Sequence, residues 1–484
     1  MNSKRTLFIL GISAIFILTS CSGSKSTVCT VNCGGGGNSS LSLTISDTPP
    51  SGTTILSFTL PVLGISLTPS GGGSQVSVFS SNPSADYELT RLQSDSNLVA
   101  AKVPVAAGTY TAINVTVAAP SAVFINASGS TVGSCVAGKV CQLTGSATTI
   151  TYTFPTGSPL VLTANANQWL NLDFNYSNAI VTTNGIGLDV TQKGVLTAST
   201  TVPTGIPSGD VANIDDFTGA VTAKSASSIT LVSSVRGTLT ASISSTIPVY
   251  DPQSQCQGAG SLSCIGVGSI VSLQGVLSNT GVVNATSLDV IDASTTPADE
   301  VEGTIYPSSC NGAGSFGMVL SDSVIFTSGS PLTSADFGAG VCLTFSQTAT
   351  FVIDDGILTG QGVPTGGFTN SSNILPGQTV RAKVTGAATG ANGINVTATA
   401  LILRFSRFTG TVNAVSGGTI LTMNGLPTYI TTGSLQAATY PNATVLEGAT
   451  DLSNVSGQTI SFRALYLAAP PATYSFQAAK VRVP

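Results

Sequence analysis

Apolar residues in this chain return at every second position, in short runs, and no stretch keeps a helical period across three turns. Leu41, Leu43 and Ile45 alternate with Ser42 and Thr44. The same rhythm recurs in Phe58, Leu60, Val62, in Ile113, Val115, Val117, in Ile150, Tyr152, Phe154, and in Leu170, Leu172, Phe174. Successive side chains of a strand point to opposite faces, so each run predicts a half-buried strand, one face in the core and one wet. Charged residues make up 8% of the chain, against ~25% in typical soluble proteins. The polar positions therefore fall to Ser, Thr, Asn and Gly, which suit strands and turns and deprive helices of Glu, Lys and Arg. Turn residues such as Asp47-Thr48-Pro49-Pro50 and Asn184-Gly185 separate the runs. The expected fold is all-β, opening with a β-sandwich over 41–200.

Ahead of that domain, Lys4 and Arg5 precede an apolar run from Leu7 to Leu18, which ends in Leu18-Thr19-Ser20-Cys21. About a dozen apolar residues fall short of the ~20 that span a bilayer. An ordinary export signal needs no cysteine there. The segment resembles a bacterial lipoprotein signal peptide covering 1–20. That resemblance implies export, cleavage before Cys21, and lipidation of Cys21 with acyl chains such as palmitate, which would anchor the chain to a membrane. Ser22 after the lipid-bearing cysteine implies, on the same resemblance, the outer membrane of the cell envelope, on its periplasmic or its cell-surface face. Residues 21–40, with Gly34-Gly35-Gly36-Gly37, form a Gly/Ser-rich tether that cannot bury a core.

Nine cysteines are present. Setting Cys21 aside leaves near neighbours in sequence: Cys29 and Cys33, Cys135 and Cys141, Cys256 and Cys264, Cys310 and Cys342. In an exported chain, sequential disulfides that pin Gly/Ser-rich loops are the expectation. A metal or redox site is disfavoured, because the chain has no histidine and no pair of CxxC motifs.

The first β-domain resembles domain of unknown function 4382, on Leu43-Thr44-Ile45-Ser46-Asp47-Thr48-Pro49, Ala107-Gly108-Thr109-Tyr110 leading into Ile113-Asn114-Val115, and Leu172-Asp173-Phe174. The resemblance implies an exported sandwich-like domain and no known activity. Beyond it the chain repeats. Phe217-Thr218-Gly219-Ala220-Val221 returns as Val301-Glu302-Gly303-Thr304-Ile305 and as Phe408-Thr409-Gly410-Thr411-Val412. Each copy has a later partner, around Gly268, Gly377 and Gly457. The spacings Gly219–Gly268 and Gly410–Gly457 are nearly equal, and Gly303–Gly377 is longer, which predicts homologous units with an insertion in the second. Expected bounds are 212–295, 299–405 and 406–484. A glycine inside an apolar strand marks a bulge or the corner of a small barrel. The units resemble another tandem family, domain of unknown function 5666, and are expected to be small β-barrels of OB type.

Lack of histidine removes Ser-His-Asp and Cys-His catalysis and the commonest general base. Ser22-Gly23-Ser24-Lys25 gives a Ser-x-x-Lys frame, but in a tether that cannot bury the lysine. Carboxylates that could work in pairs are Asp215/Asp216, Asp299/Glu300/Glu302 and Asp354/Asp355. Paired carboxylates are the machinery of a glycan hydrolase; the plainer expectation is solvated turns and linkers. Asp354 and Asp355, before Gly356, are also weak calcium candidates. Trp169, Asn171 and Asp173 share one strand face, a pattern suited to a sugar-binding platform, against the plainer expectation that Trp169 packs under a loop. A net charge of −5 with no basic cluster argues against nucleic-acid binding. An aromatic content of 6% could hardly build the two girdles of a membrane barrel. The sequence thus predicts a lipid-anchored, non-catalytic binding or structural module. It needs no cofactor, and its partners are the membrane and a glycan or envelope protein. The alternative is a carboxylate-based extracytoplasmic hydrolase.

Overall fold

A computed structural model describes residues 37–48, 54–181, 186–203, 206–233, 236–256, 262–294, 299–308, 310, 314–325, 332, 338–390, 393–427, 429–430, 436–439, 447–448, 452, 454–467 and 476–482. Among these the chain is all-β, and the longest helical elements are single 3-10 turns such as Leu89–Leu92 and Tyr176–Ala179. No described helix is long and apolar enough to cross a membrane. The signal segment, Cys21, Cys29 and Cys33 lie outside the described residues.

The N-terminal domain packs two sheets face to face. One has the strand order Leu196–Ser199, Asn167–Phe174, Asn38–Asp47, Asn97–Ala106. Its two central strands run parallel, with Leu43 opposite Leu170 and Ile45 opposite Leu172. The other sheet is built around Ile55–Pro69, which pairs with Val76–Glu88, Gly108–Val117 and Ser121–Ile125. Leu41, Leu43, Ile45, Leu170, Leu172 and Phe174 meet Phe58, Leu60, Val62, Ile113 and Val115 in one apolar core. Each such side chain taken from water stabilises the fold by about 1.5–3 kcal/mol. Asn38–Asp47 starts inside the 21–40 span read as tether, because Ser40 to Asp47 pair with the strand Asn167–Phe174.

One expectation fails at this sheet. Ser42, Thr44 and Ser46 were expected to be wet, yet they are 4%, 0% and 0% exposed. Period-two alternation identifies two faces and says nothing about what covers the second. Here the next domain does: Trp169, on that face, packs with Val211, Ala212 and Ile214.

Three further units follow, and each closes the same ring of five strands. In unit 1 (210–292) they are Asp210–Lys224, Ser228–Ser233, Gly237–Ser242, Ile270–Ser278 and Val283–Asp292. In unit 2 (300–404) they are Glu300–Tyr306, Phe316–Ile325, Gly340–Ile353, Thr379–Gly390 and Gly393–Arg404. In unit 3 (406–482) they are Ser406–Ser416, Ile420–Asn424, Gln436–Thr439, Thr459–Tyr466 and Phe476–Arg482. The first strand always pairs antiparallel with the second and the fourth. The third always meets the fifth in parallel, which closes the ring.

The repeated glycines explain why the units share this shape. A Cβ on Gly219 would lie 2.6 Å from the Val232 carbonyl oxygen, and one on Gly410 3.0 Å from that of Asn424; on Gly303 it would collide with Val319. All three contacts are with the second strand, so glycine lets the curled first hairpin close. The later glycines, Gly268, Gly377 and Gly457, sit at φ of 96°, 94° and 79°. Their N–H groups donate to the carbonyls of Val221, Ile305 and Val412 at 2.9, 2.8 and 2.7 Å. A left-handed turn there hands the chain to the fourth strand in register.

Apolar contacts also join the units. Units 2 and 3 share one core, which includes Phe368 and Ile374 from the inserted 3-10 turns of unit 2. Leu56, Val123 and Ile125 of the sandwich pack on Val319 of unit 2. Disulfides join Cys135 to Cys141, Cys256 to Cys264 and Cys310 to Cys342, with Cα separations of 5.9, 5.6 and 5.8 Å.

Candidate functional site

The expected sugar platform is occupied from within. Trp169 Nε1 donates to Thr44 Oγ1 at 2.9 Å, and Thr44 Oγ1 donates to Asn171 Oδ1 at 2.8 Å. Asn171 Nδ2 donates to Ser46 Oγ at 2.8 Å, and Ser46 Oγ donates to Asp173 Oδ1 at 2.7 Å. Thr48 adds a second hydroxyl to the same Asp173 oxygen at 3.0 Å. The parallel register of the two strands sets this ladder, placing Thr44 beside Asn171 and Ser46 beside Asp173. Trp169 and Asn171 are both 7% exposed. The three residues instead form a hydrogen-bond ladder between two strands of the sandwich sheet, with Trp169 packed on unit 1.

The carboxylates expected in solvated turns lie at the centre of the molecule. Asp215, Asp216, Glu300, Glu302 and Asp354 are each at most 1% exposed. Asp215 and Asp216 enter from a break of register between Ile214 and Phe217, where Asp216 takes a φ of 52°. That bulge lets two successive carboxylates turn into the interior. Glu300 and Glu302 share one face of their strand, opposite Lys383 and Arg381 of the neighbouring strand. Unit 3 contributes a row of cations, with Arg407 opposite Arg463 and Arg463 opposite Lys480. The sandwich adds Arg91, from the 3-10 turn Leu89–Leu92, and Asp95 just beyond it.

Ion pairs join the sandwich to all three units and unit 1 to both others, while units 2 and 3 meet through their shared apolar core. Arg91 reaches Asp216 of unit 1 at 3.0 Å and also pairs with Glu302 of unit 2. Arg404 of unit 2 pairs with Asp354 of its own unit and with Asp216 of unit 1. Arg407 of unit 3 lies 2.7 Å from Asp95 of the sandwich and 3.3 Å from Asp216. Lys480 lies 3.0 Å from Asp95 and also pairs with Asp215. Arg381 holds Glu302 at 2.6 Å, and Arg463 Nη1 donates to Gln274 Oε1 at 2.9 Å. Like charges directly across a sheet repel, so the cation row of unit 3 depends on acids supplied by the sandwich and by unit 1.

Burial alone would raise every one of these carboxyls. Around Asp95 the charges of Lys480 and Arg407 overcome it and hold the group well below the usual carboxylate range. Arg404, Arg407 and Arg91 do the same for Asp216. Glu302, facing Arg91, Arg381 and Arg404 against its own burial, is lowered to about 2. Glu300 and Asp289 go the other way. Burial outweighs Arg381 and Lys383 at Glu300, which rises to about 7, and outweighs Arg404 at Asp289, which rises to about 6.

The carboxylates are therefore committed to cations rather than aimed across a cleft. Beside Arg91 and Arg407 a cavity of about 40 Å³ remains, bordered by Tyr429 and Phe408. It has room for a few water molecules and for no sugar ring. Asp299 is half-buried at the head of its strand. The calcium expectation meets the same obstacle: Asp354 faces Arg404, and Asp355 accepts a hydrogen bond from Thr359 at 2.8 Å. Among the described residues no group of three or more Asp, Glu, Cys or His side chains converges as a metal site.

The comparisons with known proteins follow this division. Residues 38–189 match the family described as Domain of unknown function (DUF4382). The match covers the N-terminal sandwich and none of the three units. The family's description carries no activity. No curated protein matches the chain. A solved Drosophila structure, Unr CSD456, aligns at 9% identity and a TM-score of 0.13, over 56% of this chain and 97% of its own. That likeness carries no argument.

Proposed function

We propose that this protein is a non-catalytic module of the cell envelope: a sandwich and three small barrels locked into one head and held by a lipid on Cys21. The observation that carries the reading is the four-way junction, where the acids a hydrolase would need are spent on buried cations, three of them on cations from other domains. Asp215, Asp216 and Glu302 have partners from other domains, Asp354 is paired with Arg404 of its own unit, and the space beside them admits only water. A rigid head with a nearly uncharged exterior suits binding or spacing of neighbours on a surface.

The units are of OB type on this reading. Support comes from the shared ring order, with the third strand parallel to the fifth, and from the repeated glycine turns. The likeness to domain of unknown function 5666 rests on the same repeat. The anchor rests on Lys4, Arg5, the apolar run and Cys21, with the tether spanning the distance to the strand that begins at Asn38. Ser22 favours the outer membrane. The test is labelling with radioactive palmitate followed by membrane fractionation. The wild-type chain is expected to carry label and sediment with outer membranes, and Cys21→Ser to do neither. Label on Cys21→Ser would overturn the anchor.

A further inference from the structure

A second recess lies away from the charged junction. It is a groove of about 500 Å³ where the sandwich, the segment leading out of it and unit 1 meet. Clefts of this size between domains are the usual setting of small-ligand sites. Its wall carries Tyr152 and Phe154, whose rings meet edge to face at 5.3 Å, together with the remaining exposed edge of Trp169. Exposed polar groups stand beside the rings: the amides of Asn167 and Asn279 and the hydroxyl of Thr200. Asn279 comes from the turn before the last strand of unit 1, so the groove exists only when the two domains are docked.

None of the residues that line it is charged. A phosphate, a uronic acid or an amine would find no counter-charge there. A peptide adding to the sheet would need an open strand edge. The adjacent strand Leu160–Leu162 has that edge closed by one side chain: Gln168 Nε2 donates to the Val161 carbonyl at 2.9 Å, and Thr163 N–H donates to Gln168 Oε1 at 2.6 Å. The half-buried Tyr152 ring and two aromatic edges beside neutral donors and acceptors match a ligand with an apolar ring face and a rim of hydroxyls. We propose that this groove binds a neutral glycan, with the half-buried Tyr152 as the ring platform, the exposed edges of Phe154 and Trp169 beside it, and Asn167 and Asn279 as hydroxyl readers. The proposal rests on the non-catalytic binding reading above and gives it a site. It also moves the platform: Trp169 takes part through its other edge, without Asn171 and Asp173.

Isothermal titration of the full chain, in a detergent without a sugar headgroup, tests it. The probes are cellohexaose, laminarihexaose and maltohexaose, with an oligogalacturonate as the charged control. At least one neutral hexasaccharide is expected to bind and the charged one not to. Tyr152→Ala is expected to weaken Kd about tenfold or more. Asn279→Trp fills the groove from an exposed turn, with no core side chain changed, and is expected to abolish binding. Absence of binding by every neutral probe, or binding that survives Asn279→Trp, overturns the site. Surviving binding would still leave the non-catalytic reading standing. Release of new reducing ends from a glycan bound in the groove would keep the site and overturn that reading instead.

Discussion

Two buried polar layers hold this molecule together, and they are built from opposite materials. On the sandwich face that unit 1 covers the layer is almost neutral: Trp169, Thr44, Asn171 and Ser46 form a hydrogen-bonded chain that ends on one acid, Asp173. At the four-way junction the layer is ionic, and it gathers all but two of the chain's arginines beyond the signal segment, including Arg91, Arg381, Arg404, Arg407 and Arg463. A neutral layer asks each group only for a nearby partner. An ionic layer demands that partners from four domains arrive together, since any one missing leaves a buried charge exposed to its own desolvation. The neutral layer therefore ties strands within the sandwich and seats Trp169 against unit 1, whereas the ionic one specifies the arrangement of all four.

The largest expected effect is at Glu302. Glu302→Ala takes a shared carboxylate from Arg91, Arg381 and Arg404, leaves the buried Arg381 only the long 4.0 Å pair with Glu300, and is expected to cost about 3–5 kcal/mol, read as a lower denaturation midpoint in urea. If Glu302→Ala left the midpoint unchanged, the ionic layer would hold nothing together.

Acid should separate the two layers next. Asp95 and Asp216, held below the carboxylate range, and Glu302, at about 2, stay ionised in the fold when an unfolded chain would take up protons. Their stabilisation is complete above the ordinary carboxylate range and is lost as pH falls through it toward about 2. Glu300 and Asp289, raised to about 7 and about 6, act in reverse. Their contribution is complete below the ordinary carboxylate range and is lost as pH rises to about 7. Thermal stability should therefore peak near about pH 5 and fall on both sides. Glu300→Gln should flatten the alkaline side alone. A profile that rises steadily from pH 5 to pH 8 would contradict the raised carboxyls.

The smallest effect belongs to the neutral layer. Thr44→Val removes the hydroxyl that joins Trp169 to Asn171, at an expected cost of about 1–3 kcal/mol. The loss should be the same at pH 4 and pH 7, measured by urea denaturation at each. A strongly pH-dependent loss would mean that the two layers are not independent.

The fold was more legible in the sequence than the site. Leu43, Ile45, Leu170 and Leu172 reach the core because alternation decides which face is apolar. Gly219, Gly303 and Gly410 marked the closed hairpins because only glycine lets the backbones approach there. What alternation could not tell was water from a neighbouring domain, so Thr44 and Asn171 were expected to be wet. The junction was hidden for a related reason. Its partners, such as Arg91 with Glu302 and Asp95 with Lys480, lie in different domains and share no local pattern. One signal was available. Asp216, Glu300 and Arg407 occupy the same position before the strand glycine of their units, so aligning the repeats places acid, acid and base on equivalent faces.

The central claim is that the ionic junction makes four domains behave as one body. Differential scanning calorimetry of the wild-type chain and Glu302→Ala at pH 5 tests it most directly. A single cooperative transition for the wild type, which splits into separate domain transitions in Glu302→Ala, is the predicted result. Separate transitions already present in the wild type at pH 5 would contradict it.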